Sequence, residues 1–278
     1  MSKLPLSTTP PVIEPMDGGV KIEFEKLHDI YSDILKALHE KNGGRICYER
    51  VLTVFIDFEW YRFGGRNVLL SIQIAVVSPD GSRNVIFYSA TGRRLKKKLS
   101  VDAHIDCASD VLAERLTLEE IVEQAMLIND DGYLVNRSEG KTRMLLVIHN
   151  SVAEWSMLRD RDADYIIKHI TSIRKSPVTG VHPIKLHDRR IGAVDLEIFD
   201  TRLLAPAKLQ SLDKLSDLLG KKEKKIEIFE FYKRNMDQLL IDDPALFEKY
   251  ALRDTEVTAK LFFLLQRLLN ELAFGYAV

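Results

Sequence analysis

Two carboxylates lie one residue apart in the apolar stretch VFIDFEW, residues 54–60. Alternate side chains of an extended strand share a face, so Asp57 and Glu59 are expected to point the same way. Like charges at this separation repel each other, and burying them is costly unless something compensates. We therefore expect a positively charged group between these two carboxylates.

Two later segments carry side chains that fit the same chemistry. In VIHNSVAEWSML, a strand is expected to end near Asn150, and Glu154 lies within the first two turns of the helix that follows. In YALRDTEVT, Tyr250 and Asp254 are four residues apart and therefore share one face of a helix. The chain thus has a D-x-E strand, a carboxylate that opens a helix and a Tyr-x-x-x-Asp helix, in that order.

This series of motifs resembles that of the DEDDy 3′→5′ exonucleases, which include ribonuclease D and the proofreading domains of family A and family B DNA polymerases. The matching residues are Asp57, Glu59, Asn150, Glu154, Tyr250 and Asp254. The family usually has Asp where this chain has Glu154, which keeps the charge and adds a methylene. Relatives that use His in the third motif have it five residues before the last Asp, where this chain has Lys249.

The resemblance covers about residues 50–270 and is closest to the proofreading region of protein-primed or plasmid-type family B polymerases. The stretch DTRLLAPAKLQSLDKLSDLLG, residues 200–220, supports this closer likeness. No polymerase segment is expected within residues 1–278. The resemblance implies an α/β fold, with an RNase H-like mixed sheet flanked by helices, whose first three strands are antiparallel and whose later part alternates helices and strands.

The resemblance also implies a cofactor, namely two Mg²⁺ or Mn²⁺ ions. Two such ions activate water and stabilise the attacking and leaving oxygens of a phosphodiester, and both prefer oxygen ligands. Asp57 is expected to bridge the ions. Glu59 and Asp254 would complete the site, and Glu154 would bind directly or through water. Tyr250 would orient the attacking water, because a phenol with a pKa near about 10 suits positioning better than general-base catalysis.

The expected activity is metal-dependent 3′→5′ hydrolysis of single-stranded nucleic acid to nucleoside 5′-monophosphates, with DNA favoured over RNA. The expected partners are therefore DNA or RNA 3′ ends. A catalytically weakened binding or protein-interaction module on the same fold is the alternative, motivated by Glu154. An RNase H-type or transposase-like endonuclease also uses clustered carboxylates, and resistance of a circular substrate would distinguish an exonuclease from it.

The elements that position these residues follow from hydrophobic periodicity. RVLTVFIDFEW, NVLLSIQIAVV and RNVIFYSA predict three consecutive strands with short links, which is typical of an antiparallel meander. The later strands are predicted at RMLLVIHN and AVDLEIFDTRLLA, and the helices at TLEEIVEQAMLI, VAEWSMLRDRDADYIIKHI, SLDKLSDLLG and from Pro244 onward. This order predicts one mixed sheet with helices on its faces.

The sequence divides into three predicted regions. Residues 1–23 are rich in Pro, Ser and Thr and are expected to form a mobile arm. Residues 24–49 form a helical extension, whose amphipathic helix at 24–42 either packs on the sheet edge or docks a protein partner or a second copy of the chain. Residues 50–278 form the exonuclease domain.

Basic and aromatic residues outside the motifs are candidates for substrate contact. A net charge of −1 gives no global basic field, so contact with phosphates must come from local patches at 93–98, 170–192 and 221–225, for which solvated loops are the alternative. The candidate substrate-binding residues are Asn150, Arg174, Lys175, Arg189, Arg190, Lys96 and Lys97. Residues 170–192 are expected to be a surface insertion. Tyr61 and Phe63 could stack on bases, as could Trp60 unless it packs in the core.

Composition excludes several other classes of protein. Cys47 and Cys107 are too few and too far apart for a disulfide framework or a zinc cluster. No apolar run reaches the roughly 18 residues of a membrane span, and the N-terminus lacks the apolar core of a signal peptide. We therefore expect an intracellular, cytoplasmic protein that does not contact membranes. His149 is expected to be a strand-end residue, and Trp155 is expected to pack against the sheet.

Overall fold

The structure is a computed structural model. It describes residues 13–16, 19–22, 50–78, 81–97, 111–112, 115–129, 141–149, 154–159, 162, 164, 166, 183–188, 191–204, 211–216 and 226–275. The predicted N-terminal helix at 24–42 lies outside the described residues, as do the Asn150, Arg174, Lys175, Arg189 and Arg190 positions.

The elements are numbered here in chain order. The strands are β1 (Ile13–Met16), β2 (Gly19–Ile22), β3 (Arg50–Phe63), β4 (Arg66–Ser78), β5 (Gly81–Ser89), β6 (Val111–Leu112), β7 (Lys141–Ile148), β8 (Ile184–Asp188) and β9 (Gly192–Asp200). The helices are α1 (Ala90–Lys97), α2 (Leu118–Asn129), α3 (Leu212–Ser216), α4 (Glu230–Arg234), α5 (Met236–Asp242) and α6 (Pro244–Gly275). Short 3₁₀ turns span Trp155–Met157 and Thr201–Leu204.

One mixed sheet organises the chain, with the strand order β6-β5-β4-β3-β7-β9-β8. Strands β3, β4 and β5 form the predicted antiparallel meander, whereas β7 and β9 run parallel to β3. The prediction of an α/β protein with a mixed sheet flanked by helices is therefore confirmed. Strand β3 lies between an antiparallel neighbour and a parallel one, at the centre of the sheet.

Alternation along β3 divides its side chains between two packed layers. Leu52 and Ile56 belong to the core beneath α2, which contributes Ile121. Phe55 belongs to the opposite core beneath α6, where its ring lies 5.7 Å from that of Phe262 between centroids. Helix α6 therefore covers the β3 face that carries the odd-numbered residues.

The start of α2 has a Thr cap in the form of a capping box. The Thr117 amide donates to Glu120 Oε2 at 2.7 Å, and the Glu120 amide donates to Thr117 Oγ1 at 3.1 Å. Asp162 Oδ2 accepts a further bond from the Leu118 amide at 3.3 Å. These contacts satisfy amide groups that the first turn of a helix leaves without a backbone partner.

The predicted continuous helix over 152–170 is wrong. Glu154 is followed by the short 3₁₀ turn, and Leu158 is extended with φ −83° and ψ 162°. Leu158 forms a parallel bridge with Leu116, and the Arg159 amide donates to the Leu116 carbonyl at 2.9 Å. Among the described residues after this bridge, helical backbone is next found at residues 162, 164 and 166. Buried pairing with the segment before α2 has overridden the helical periodicity.

Two other regions also differ from the sequence-based expectation. The predicted 170–192 surface insertion contains β8, which closes one edge of the sheet by antiparallel pairing with β9. Within the predicted N-terminal arm, β1 and β2 form a hairpin in which Ile13 is opposite Ile22. In both regions backbone pairing forms where composition alone favoured irregular chain.

Lys96 and Lys97 of the predicted basic patch at 93–98 lie on helix α1, not in the solvated loop that was the alternative. Lys96 pairs with Glu248 of α6 and lies 4.6 Å from the centroid of the Tyr88 ring. The Tyr88 hydroxyl donates to the same carboxylate at 2.7 Å. Burial acts to raise the pKa of Glu248, but the bonds from Lys96 and Tyr88 lower it below its usual range. The contacts of Lys96 therefore join α1 to α6.

Candidate metal and catalytic site

The site begins where β3 extends beyond its parallel neighbour. Pairing between β3 and β7 ends at Ile56 and Ile148, so Asp57 is the first residue of β3 past the end of β7. On its other side, β3 continues to pair with β4 as far as Phe63. This arrangement leaves a gap at the carboxyl edge of the parallel strands, a common location for ligand sites in α/β sheets.

A row of polar side chains crosses β3 and β4 beside this gap. Asp57 is opposite Gln73, and Glu59 is opposite Ser71. Directly opposed residues of an antiparallel pair share a face, so all four lie on the α6 side of the sheet. Ser71 and Gln73 are fully buried, and Gln73 Nε2 donates to Ser71 Oγ at 2.8 Å. The sequence reasoning missed this second polar pair, although polar residues at alternate positions of LLSIQIAVV were its signal.

A β-bulge follows the acidic pair. The register moves from Glu59 opposite Ser71 to Trp60 opposite Leu69, which leaves Leu70 as an extra residue in β4. Helix α1 supports this bulge, because a Cβ added at Gly92 would lie 2.1 Å from the Leu70 carbonyl oxygen. The absence of a side chain at Gly92 therefore allows α1 to pack directly on the bulged backbone.

Helix α6 brings the third motif to the acidic pair. Asp254 and Tyr250 line the same cleft as Asp57 and Glu59. Carboxylate oxygens of Asp57, Glu59 and Asp254 lie within 4.8 Å of one another, and Glu59 and Asp254 are buried. This acidic triad could hold a metal ion, because clustered carboxylate oxygens are the ligands that hard divalent cations prefer.

Glu154 is a fourth acidic residue in this environment. Its side chain is buried, and its Oε2 atom has no hydrogen-bond partner among the described residues. Burial raises the pKa of Glu154 well above its usual range, and the negative charges of Asp57, Glu59, Asp254 and Asp200 raise it further. A buried carboxylate oxygen without a protein donor fits coordination to a cation or to the water that a cation holds.

The cleft has a volume of about 470 Å³. Its lining residues are Asp57, Phe58, Glu59, His149, Glu154, Arg202, Ser211, Leu212, Asp213, Tyr250 and Asp254. Its size is within the range of about 300–1,000 Å³ that is typical of small-molecule sites. All five predicted catalytic residues are therefore found in one cleft, contributed by β3, the turn after β7 and α6.

His149 also lines the cleft, at the end of β7. His149 Nδ1 lies 2.9 Å from the Thr201 hydroxyl, and this hydroxyl donates to the Ile148 carbonyl at 3.3 Å. The expected strand-end position is thus found, and His149 contributes to the lining as well.

Arg202 brings positive charge to the otherwise acidic cleft. It lies on the 3₁₀ turn directly after β9, and its amide donates to Asp200 Oδ1 at 2.9 Å. No sequence motif marked Arg202 or Asp213 as a candidate site residue. Arg202 reaches the cleft because β9 is parallel to β3 and ends at the same edge of the sheet, a long-range placement that its local sequence does not signal.

The predicted substrate-binding lysines do not join this cleft. Lys96 is engaged with Glu248, and neither it nor Lys97 is among the lining residues. Trp155 is buried in the core beneath α2, as predicted, and Trp60 is partly buried against the same core.

Comparison with known proteins finds no family model that matches the sequence and no significantly similar curated protein. Among the described residues, no helix is both long and apolar enough to cross a membrane.

Proposed function

We propose that this chain is a two-metal-dependent 3′→5′ exonuclease of RNase H-like fold that acts on single-stranded nucleic acid. The observation that carries the proposal is the convergence of acidic and tyrosine side chains in one cleft, in the chain order that the resemblance to DEDDy exonucleases implies: Asp57, Glu59, Glu154, Tyr250 and Asp254. A D-x-E pair alone is common on strands, and so is a Tyr-x-x-x-Asp pair on helices. Their meeting with a buried Glu154 is much more specific.

The acidic residues fit the ions that the proposed reaction needs. Mg²⁺ or Mn²⁺ bound there would lower the pKa of the attacking water and stabilise charge on the leaving oxygen. Asp57, Glu59 and Asp254 would hold the ions directly. Glu154 would act as a ligand or bind a coordinated water, and the absence of a hydrogen-bond partner for its Oε2 atom favours this role.

The remaining lining residues suit the substrate and the water. Hydrolysis forms a bond from the water oxygen to phosphorus and breaks the bond to the 3′ oxygen, which takes up a proton and leaves as a hydroxyl. Tyr250 lies one helical turn from Asp254 and would orient the attacking water through its hydroxyl. Arg202 would bind a non-bridging phosphate oxygen, since a guanidinium pairs well with phosphate.

The dimensions of the cleft are compatible with a single nucleotide. A volume of about 470 Å³ is of the size for a single nucleotide and its phosphate. Leu212 adds an apolar surface that a sugar or base could contact. The likeness to polymerase proofreading regions favours DNA over RNA as the substrate.

The test is a cleavage assay with 5′-labelled single-stranded DNA and a matching RNA, in Mn²⁺, in Mg²⁺ and in chelator. We expect a metal-dependent ladder that shortens from the 3′ end and ends in nucleoside 5′-monophosphates. The Asp57→Asn protein should lose the ladder, whereas the exposed-site control Glu227→Gln should keep it. No cleavage of either substrate in either metal would refute the proposal.

Two further substrates separate the alternatives. A circular single strand should resist an exonuclease and be opened by an endonuclease. If neither linear nor circular strands are cleaved and the wild-type protein still binds them, the chain is a binding module on this fold. The crowding of like charges in a buried cleft supports a retained chemical role, because such charges cost stability without a cation.

A further inference from the structure

Strands β3 and β4 continue past the acidic site into an exposed hairpin tip, residues 61–66. Phe63 is opposite Arg66, and Gly64 and Gly65 form the two-residue turn between them. Their φ angles are +55° and +81°, and a type I′ turn requires positive φ at both central positions. The tip is therefore a tight, well-defined turn that extends the strand carrying Asp57.

One face of β3 carries both the acidic pair and two aromatic residues. Asp57, Glu59, Tyr61 and Phe63 alternate along the strand, and the extra residue of the bulge belongs to β4, so β3 keeps its alternation. The Tyr61 and Phe63 rings are inclined by 50°, with centroids 6.4 Å apart. Tyr61 is half-buried, whereas the Phe63 side chain is 71% exposed. An aromatic stripe thus leads away from the carboxylates to the tip.

The tip is also positively charged. Arg62 and Arg66 flank Phe63 and the glycine turn, and both are exposed. Neither guanidinium has an ion pair with any residue within the described ranges. Residues 60–70 contain no acidic side chain, although the whole chain has a net charge of −1. Exposed arginines next to an exposed aromatic ring suit a polyanion whose bases can stack.

The base of the hairpin is fixed to the catalytic cleft. The Asn67 side-chain amide donates to Ser156 Oγ at 3.1 Å, which joins the hairpin to the 3₁₀ turn after Glu154. Tyr61 packs against the core cluster that also contacts Tyr250. These contacts hold the tip at a defined place relative to the carboxylates.

We propose that the hairpin tip binds the single strand upstream of the nucleotide being removed, a role that rests on the proposed nuclease function. Phe63 stacks on a base, and Arg62 and Arg66 contact phosphates. Phe63 lies four residues beyond Glu59, or about 13 Å along an extended strand. At the stacked spacing of about 3.4 Å per nucleotide, the tip reaches about four nucleotides from the reacting phosphate.

The first experiment measures binding separately from cleavage. Anisotropy of a labelled oligothymidylate or oligouridylate of twelve nucleotides is followed in chelator. Phe63→Ala should weaken binding about 5- to 100-fold, which is the range for loss of one stacked base. The matched control is Phe231→Ala, which removes an aromatic residue that is 61% exposed on α4 and should change binding less than twofold. Equal binding by wild type and Phe63→Ala, or equal losses in both variants, would overturn the proposal.

The arginines have their own readout in the salt dependence of binding. Each lost phosphate contact on a single strand should make the slope of log K against log salt shallower by about 0.7. The double variant Arg62→Gln/Arg66→Gln should therefore lose about 1.4 from this slope. An unchanged slope would show that Arg62 and Arg66 do not contact phosphates of the strand. Tip-dependent binding only to lipid vesicles, or only to a second copy of the chain, would also refute the proposed contact with a nucleic acid.

A second experiment keeps this proposal distinct from the nuclease proposal. The p-nitrophenyl ester of thymidine 5′-monophosphate is a phosphodiester too short to reach the tip. Phe63→Ala should hydrolyse it at the wild-type rate in Mn²⁺, while KM for the long oligonucleotide rises about 5- to 100-fold with little change in kcat. Hydrolysis of both substrates with no effect of Phe63→Ala would overturn the hairpin role alone. No hydrolysis of either substrate would refute the nuclease, and the anisotropy result would still decide on binding.

Discussion

Replacing Glu59 by Gln should make the metal-free protein more stable and abolish its stabilisation by Mn²⁺. Oxygens of Glu59, Asp57 and Asp254 lie within 4.8 Å of one another. At that distance each pair of like charges costs about 3.5 kcal/mol at an effective dielectric constant near 20, and about 1 kcal/mol in bulk water. Glu59 takes part in two of these pairs, so removal of its buried charge should raise the free energy of unfolding without metal by at least about 2 kcal/mol.

The negative charge of Glu59 is needed to bind the metal ion when Mn²⁺ is present. A ligand that binds only the folded state stabilises it by about 2.7 kcal/mol at a concentration 100 times its dissociation constant. Wild-type protein should thus gain about this much from saturating Mn²⁺, and Glu59→Gln should gain little. The stability advantage of Glu59→Gln over wild type should therefore be smaller in Mn²⁺ than in chelator by about 2.7 kcal/mol.

Urea unfolding in chelator and in Mn²⁺ measures both effects on the same samples. Glu227→Gln removes a carboxylate from an exposed position and should follow wild type in both conditions. A Glu59→Gln protein that is less stable than wild type in chelator would contradict the repulsion argument. Undiminished stabilisation of that variant by Mn²⁺ would show that the ion binds elsewhere.

Three further predictions concern the surroundings of the site. Gly92→Ala should lower stability by about 1–3 kcal/mol in thermal unfolding, because the added Cβ meets the Leu70 carbonyl at 2.1 Å. If the variant is instead more stable than wild type, as the helix propensity of Ala alone would make it, this contact is contradicted. Glu248→Gln should reduce stability near pH 7, and this loss of stability should shrink as the pH falls below about 4.5. The reason is that a carboxyl whose pKa is lowered by Lys96 stabilises the fold only when it is ionised. A loss of stability that does not depend on pH would refute this. Arg202→Gln should reduce kcat/KM on oligonucleotides about 10- to 100-fold and leave stabilisation by Mn²⁺ intact, whereas unchanged kcat/KM would exclude a phosphate contact.

The sheet could be predicted because its signals are local. Strands β3, β4 and β5 are apolar runs separated by short links, and the three lie side by side in that order. The acidic pair stood out because Asp57 and Glu59 interrupt such a run with charge. The same alternation marked Ser71 and Gln73 less visibly, since neutral polar residues interrupt a strand with a weaker signal.

The parts that sequence could not predict depend on long-range contacts. The break after Met157 arises from the bridge between Leu158 and Leu116, which are 42 residues apart. Strand β8 is specified by an open edge of β9 rather than by its own periodicity. Arg202 joins the cleft only because β9 ends beside β7, and no local pattern around Arg202 contains that information.

The break in the predicted helix also sets the backbone at Glu154, the residue that the resemblance aligns with a position that is usually Asp. Glu154 directly precedes a short turn in which Ser156 accepts a hydrogen bond from Asn67, and the Leu158 bridge follows this turn. The backbone of this turn is therefore set by packing rather than by the axis of a long helix. The extra methylene of Glu154 does not carry its carboxylate away from the acidic triad, because the charges that raise the pKa of Glu154 include those of all three triad members. Glu154 thus lies within electrostatic reach of the whole acidic triad despite its longer side chain.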